Sequence, residues 1–128
     1  MKLLIAGPRD REVSNSTFDY ALRSIAARYP SLLINGGATG VDRSAVLWAL
    51  RKGITIQPFP AKWDIGRRAG PERNQRMIDQ GQPDLVFIFW DRVTDGSKDM
   101  RDRSIQAGMD TFEFDLKGDL LARYNMKL

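Results

Sequence analysis

Three strings in this 128-residue sequence set glycines beside basic, acidic or hydroxyl side chains: Gly36-Gly37-Ala38-Thr39-Gly40-Val41-Asp42, Ala69-Gly70-Pro71-Glu72-Arg73-Asn74 and Asp95-Gly96-Ser97-Lys98. A glycine-rich turn that runs into a helix lets bare backbone approach a ligand and aims unpaired N–H groups at an anion. The first string therefore reads either as a phosphate-binding turn, with Gly36, Gly37, Thr39 and Gly40 around the anion, or as a tight turn that needs glycine for its backbone alone. It is not the full dinucleotide fingerprint, since only Gly37 and Gly40 match its later glycines, and no Gly-Lys-Ser/Thr makes it a P-loop. Asp42 falls in the first turn of the following helix, where it either complements the helix dipole or accepts from a ribose hydroxyl. In the second string Gly70 and Pro71 open a helix, and Arg73 and Asn74 sit within its first turns on the expected ligand edge. In the third, Ser97 caps a helix while Gly96 and Lys98 offer an anion nest and a charge. Gly7-Pro8-Arg9-Asp10 adds a fourth turn, from which Arg9 either reaches a phosphate or pairs with Asp10.

The chain contains neither cysteine nor histidine. That removes disulfides, thiolate nucleophiles, zinc sites built on those residues and every triad with an imidazole base. No dense carboxylate cage appears in the sequence, so neither a metal nor a cofactor is expected. Fourteen arginines against six lysines, within a net charge of +4, suit an anionic partner, because a guanidinium grips phosphate with a planar fork. The longest apolar run, Leu85 to Trp90, is far below the roughly 20 residues of a spanning helix. Pro8 interrupts MKLLIAGPRD before a signal-peptide core forms. A cytoplasmic protein with no membrane partner is the expectation.

The elements that must carry these turns alternate. Lys2 to Ala6 reads as a strand. A helix capped by Ser16 follows, with Phe18, Leu22, Ile25 and Tyr29 at helical spacing and Pro30 closing it. Leu32 to Asn35 is a strand, and Val41 to Lys52 a well-buried helix ended by Gly53. Ile54 to Phe59 is a strand, followed by a basic loop and a helix from Pro71 to near Gly81. Asp84 to Trp90, the most hydrophobic segment, is the expected central strand. A helix from Ser97 to Ala107, an edge strand Thr111 to Phe114 and a short helix Leu116 to Tyr124 complete the chain. Trp48 and Trp90 are expected in the core, whereas Trp63 lies in a loop where it could stack on a base. Five strand–helix alternations predict one α/β domain over residues 1–128, a doubly wound, mainly parallel five-stranded sheet with helices on both faces and a helical tail over 115–128. Ligands in such sheets sit beyond the carboxyl ends of the strands, at the switch in strand order.

In order, GPRD, GGATGVDRSAVLWA, PAKW with AGPERNQRM, and DGSKDM resemble the SLOG superfamily, and more closely the YspA/cpYpsA-related SLOG family, over about Met1 to Phe114. The resemblance implies a Rossmann-like domain that binds a nucleotide or nucleotide derivative. Its relatives include Lonely Guy phosphoribohydrolases, which cleave an N-glycosidic bond, and DprA proteins, which bind single-stranded DNA. Glu72, Arg73 and Met77 match the arginine motif of the Lonely Guy enzymes. Gly96 and Ser97 stand where that family has Gly-Thr, but Met100 occupies the place of its glutamate. If the chain turns its ligand over, the resemblance makes Arg73 essential, and Asp99, which could stand in for the glutamate only with a shifted loop, is the leading acid. Asp99 lies one residue, about 100° around the helix, from the glutamate position. A non-catalytic nucleotide sensor and a single-stranded nucleic-acid binder are the competing readings, the latter drawn from Arg67, Arg68, Arg73, Arg76 and Trp63. Leu116, Leu120, Leu121 and Tyr124 would either pack on the sheet or join subunits of a homo-oligomer.

Overall fold

Strands that are apolar on both faces require cover on both faces, and the chain supplies it with two pairs of helices. The computed structural model describes residues 1–125. In chain order the elements are β1 (Lys2–Ala6), α1 (Asn15–Ser24), β2 (Leu32–Asn35), α2 (Val41–Lys52) and β3 (Thr55–Pro58). A 3-10 segment (Trp63–Arg68) then leads into α3 (Ala69–Asp79), β4 (Leu85–Phe89), α4 (Asp95–Gln106), β5 (Asp110–Phe114) and β6 (Leu120–Tyr124). The six strands form one sheet in the order β3-β2-β1-β4-β5-β6. Its first five strands are parallel, and β6 pairs antiparallel with β5.

Side-chain alternation divides the core in two. Leu3, Ile5, Phe87, Phe89, Phe112 and Phe114 point to the side covered by α1 and α2, where Phe18 and Trp48 are fully buried. Leu4, Ala6, Ile34, Val86 and Ile88 point to the side covered by α3 and α4 through Met77, Ile78 and Met100. On β5 the second face is polar, with Thr111 and Glu113 both fully buried. After β1 the chain builds outward to β2 and β3 and then returns to lay β4 on the other side of β1. The strand order therefore switches between β1 and β4.

Several boundaries differ from expectation. Ser14, not Ser16, caps α1, its hydroxyl accepting from the Thr17 N–H at 3.2 Å. That helix ends at Ser24, and Ala26 turns left-handed at φ 54°, so Tyr29 lies beyond it despite the helical spacing. Helix α3 begins two residues before Pro71, which still sits in the first turn, where a missing N–H costs nothing. Helix α4 begins at Asp95, making Ser97 its third residue rather than its cap.

The tail is the largest correction. Leu120–Tyr124 is a sixth strand, not a helix, and β5 is thereby an interior strand, not an edge. Gly118 at φ 90° breaks any helix there, and Asp115 ties the hairpin by accepting from the Lys117 and Asp119 N–H groups, both at 2.9 Å. Arg123 then forks onto Asp110, and the Tyr124 hydroxyl donates to Glu113. Residues 126–128 of the expected tail helix lie outside the described residues. No helix among the described residues is long and apolar enough to cross a membrane.

Candidate functional site

At the switch in strand order the turns after β1, β2 and β4 converge with the start of α3 around a cavity of about 770 Å³. Two glycines allow this closeness. A Cβ on Gly7 would stand 2.3 Å from the Phe89 carbonyl oxygen of β4, and one on Gly40, whose φ is +73°, would stand 2.3 Å from the Pro8 carbonyl oxygen. The first turn is further pinned by the Thr39 hydroxyl, which donates to the Arg9 carbonyl at 2.9 Å.

Arg73 forms one wall of the cavity. Only 7% exposed, its guanidinium donates through Nη1 to the Gly36 carbonyl at 2.6 Å and through Nε to the Asn74 amide oxygen at 3.1 Å. Among the described residues it makes no salt bridge, and Nη2 makes no hydrogen bond. Burial pulls its pKa down, partly countered by the charge of Asp42. Asp42 itself is 6% exposed and accepts from the Ala38 N–H at 3.1 Å. Burial raises its pKa to about 6, even though that N–H, Arg73 and Arg9 all favour the carboxylate. A Cβ on Gly36 would come within 2.6 Å of Arg73 Nη1 and 3.0 Å of Asp42 Oδ2, so glycine is what leaves room for both groups.

The opposite wall is the start of α4. Gly96 has open space where a Cβ would stand, and the first N–H groups of a helix have no intrahelical acceptor. Ser97, 2% exposed, lines the cavity, and its hydroxyl is buried without a hydrogen-bond partner among the described residues. Asp99, two residues further along, also lines the cavity. Its Oδ2 accepts from Asn74 at 3.0 Å and from Arg103 at 2.8 Å, so a continuous chain of polar contacts runs Arg73, Asn74, Asp99, Arg103. Arg103 also donates to Gln75, which ties α3 to α4. Met100 is fully buried in the second core, so the position of the absent glutamate faces packing, not the cavity.

The sequence-derived site residues distribute over more than one surface. Gly7, Arg9, Asp42, Gly70, Pro71, Arg73, Asn74, Gly96, Ser97 and Asp99 line the cavity. Gly36, Gly37 and Thr39 instead line an adjoining cleft of about 490 Å³ that shares Arg9, Ala38 and Arg73 with it. The donors of this turn are largely engaged: the Gly37 N–H goes to Asn35 at 2.7 Å, that of Ala38 to Asp42, and that of Val41 to the Pro8 carbonyl. Gly40 faces away from both, and Lys98 lies on the outer side of α4 paired with Asp102 at 3.0 Å. Trp90 is buried and donates to Glu113, whereas Trp63 is 56% exposed beneath the Arg9 guanidinium.

Residues that the sequence reading passed over also belong here. Asp10 and Asp95 line the cavity, which with Asp42 and Asp99 makes four carboxylates against the cations Arg9 and Arg73. No cluster of three such ligands suited to a metal ion occurs among the described residues. Arg103 was legible as the fourth residue after Asp99 on one helix face, the spacing of an ion pair. Asp10 and Asp95 carried no signal beyond their adjacency to the turns.

A mainly parallel α/β sheet whose cavity opens at the switch in strand order, walled by a buried arginine and a helix start, has the architecture of the doubly wound class. A model of the YspA, cpYpsA-related SLOG family matches residues 1–66, half of the chain, and the protein belongs to that family. No curated protein and no solved structure matches the chain.

Proposed function

We propose that this Rossmann-like chain binds a nucleotide or nucleotide-derived anion in the switch-point cavity. The observation that carries the reading is Arg73, a buried guanidinium facing the cavity with no carboxylate in ion-pair contact among the described residues. An unpaired buried charge is costly, and a phosphate or phosphate ester completing its free donors would relieve that cost. The start of α4 offers backbone N–H groups and the unpartnered Ser97 hydroxyl to the same anion. Four carboxylates argue against a bare polyphosphate filling the cavity and suit ribose hydroxyls as donors to Asp42 or Asp99. A ligand with one anionic end and one hydroxyl-rich end fits that split. Family membership supports nucleotide-related binding in the same direction.

The test is thermal or urea unfolding of the purified protein with AMP, GMP, CMP and UMP. A ligand at about 100 times its Kd stabilises by roughly 2.7 kcal/mol. A shift with at least one nucleotide, reduced in Arg73→Lys and in Ser97→Ala proteins that retain their circular dichroism, supports the reading. No shift with any of them overturns it.

Turnover has one structural feature behind it: Asp99 lines the cavity beside the Arg73–Asn74 pair. In N-glycosidic hydrolysis the bond from C1′ to the base nitrogen breaks, water adds at C1′, and the base leaves carrying a proton. Arg73 would hold the phosphate, and Asp99, paired with Arg103 at 2.8 Å, would orient the water, accept its proton and pass it to the departing base. Chromatography for free base tests this. Binding without base release makes the protein a sensor or sequestering module, the reading that buried Met100 favours.

A further inference from the structure

The cavity is not closed on the side of Arg9, Ala38 and Arg73, because those residues are also the wall of the adjoining cleft. The two spaces differ in chemistry. The cavity is lined by four carboxylates, whereas the cleft has none among the described residues: its lining includes Pro58, Pro60, Ala61 and the exposed indole of Trp63. A carboxylate-free, proline-lined slot beside an exposed indole suits a flat, uncharged ring, with the Thr39 side of the cleft left for a second sugar. Between the two spaces stand two cations. Arg9 holds its guanidinium 4.6 Å from the Trp63 ring centre, and among the described residues neither Arg9 nor Arg73 forms a salt bridge.

On the reading that the cavity holds a nucleotide, we infer that the ligand is bipartite: a nucleotide in the cavity, joined through a phosphate linker that crosses the Arg9–Arg73 wall, to a second planar ring seated against Trp63. The order of chemistries along the surface runs hydroxyl acceptors, cations, aromatic slot. That is the order of a sugar, a phosphate linker and a ring. A mononucleotide fills the cavity and leaves the Trp63 slot unused.

Calorimetric titration with AMP and with NAD in its reduced form, whose second ring is uncharged and which joins a second ring-bearing nucleotide to AMP through a diphosphate, tests this on the full chain and on Trp63→Ala and Trp63→Phe. Trp63 is exposed, so its replacement leaves the core intact. The expected result is that NAD binds the unaltered protein at least tenfold more tightly than AMP. Trp63→Ala erases that gain while AMP affinity stays within twofold, and Trp63→Phe restores part of it. Equal affinity for AMP and NAD, or a gain for NAD that survives Trp63→Ala, overturns the bipartite ligand and leaves the nucleotide cavity standing. Failure of both ligands to bind overturns the cavity reading and this inference with it.

Discussion

Asp42 shows what a single buried carboxylate costs the fold. Its pKa in the folded protein is about 6, against an ordinary value of 3.8, so the folded state keeps a proton over a range in which the unfolded chain has lost it. Stability from this group is greatest below about pH 4 and declines as pH rises through 6, after which it is level. Holding the proton across that range makes the decline about 3 kcal/mol. Asp42→Asn, which still accepts from the Ala38 N–H, is expected to remove that slope and to raise stability at pH 7, as read from urea midpoints between pH 4 and 8. An unchanged slope would assign the pH dependence elsewhere. Two neighbouring glycines answer differently to the same methyl group. In Gly36→Ala the new Cβ meets the end of a side chain, so Arg73 shifts, stability falls by about 1 kcal/mol, and nucleotide affinity drops at least tenfold. In Gly40→Ala the Cβ meets the Pro8 backbone at a residue with φ +73°, and the cost is about 3 kcal/mol or more of stability. Urea unfolding and AMP titration of the two variants separate a glycine kept for the site from a glycine kept for the fold.

At the scale of elements, β6 is held by its polar side chains more than by its apolar ones. Leu120 and Leu121 are exposed, while Arg123 forks onto Asp110 and Tyr124 donates to the fully buried Glu113. Glu113 also accepts from Trp90 at 3.1 Å and Arg101 at 3.2 Å, joining the end of β4, α4 and β6 through one carboxylate. Burial alone would raise its pKa, but donation from Tyr124 and Trp90 and the charge of Arg101 outweigh it and hold the pKa below the usual carboxylate value. Its stabilisation is therefore complete above the unfolded pKa near 4.5 and is lost as pH falls through the lowered value. Glu113→Ala should cost about 3 kcal/mol, since it strands buried donors, and should speed amide exchange across Leu120–Tyr124 first. Uniform exchange through the sheet would mean that β6 is not separately held. This strand is also where sequence reading failed, and the reason is physical. Leu116, Leu120, Leu121 and Tyr124 have helical spacing, whereas the forces that make the strand are Asp110 and Glu113, partners brought near only by the fold. By contrast β1, β2 and α2 were legible residue for residue, because unbroken apolar runs ended by Gly-Pro or Gly-Gly, and a left-handed glycine after Lys52, are local signals. The candidate site was legible to the same depth: glycine turns and Arg73 announce themselves, but the separation of the Gly36–Thr39 cleft from the Ser97 cavity depends on which N–H groups the fold has already satisfied.

For the molecule as a whole, the family match to residues 1–66 ends before α3, and the arrangement of the sheet makes that half insufficient by itself. Strand β1 lies between β2 and β4, so a chain stopping at Arg68 would leave one edge of β1 unpaired from Leu3 to Ala6. It would also remove Met77, Ile78 and Met100 from above Leu4 and Ile34, and Phe89 from its edge-on contact with Phe18 at 5.1 Å. Each large buried side chain left exposed forfeits about 1.5–3 kcal/mol, and a few such losses exceed the 5–15 kcal/mol that an ordinary domain has in hand. The cavity shares the same dependence, because Arg73 and Ser97 both lie in the second half while Asp42 and Arg9 lie in the first. A fragment of residues 1–68 is therefore expected to give no cooperative urea transition and no AMP binding, whereas the full chain gives a single transition. A cooperative transition in the fragment would mean that the first three strands fold on their own and that the second half was needed only to wall the site.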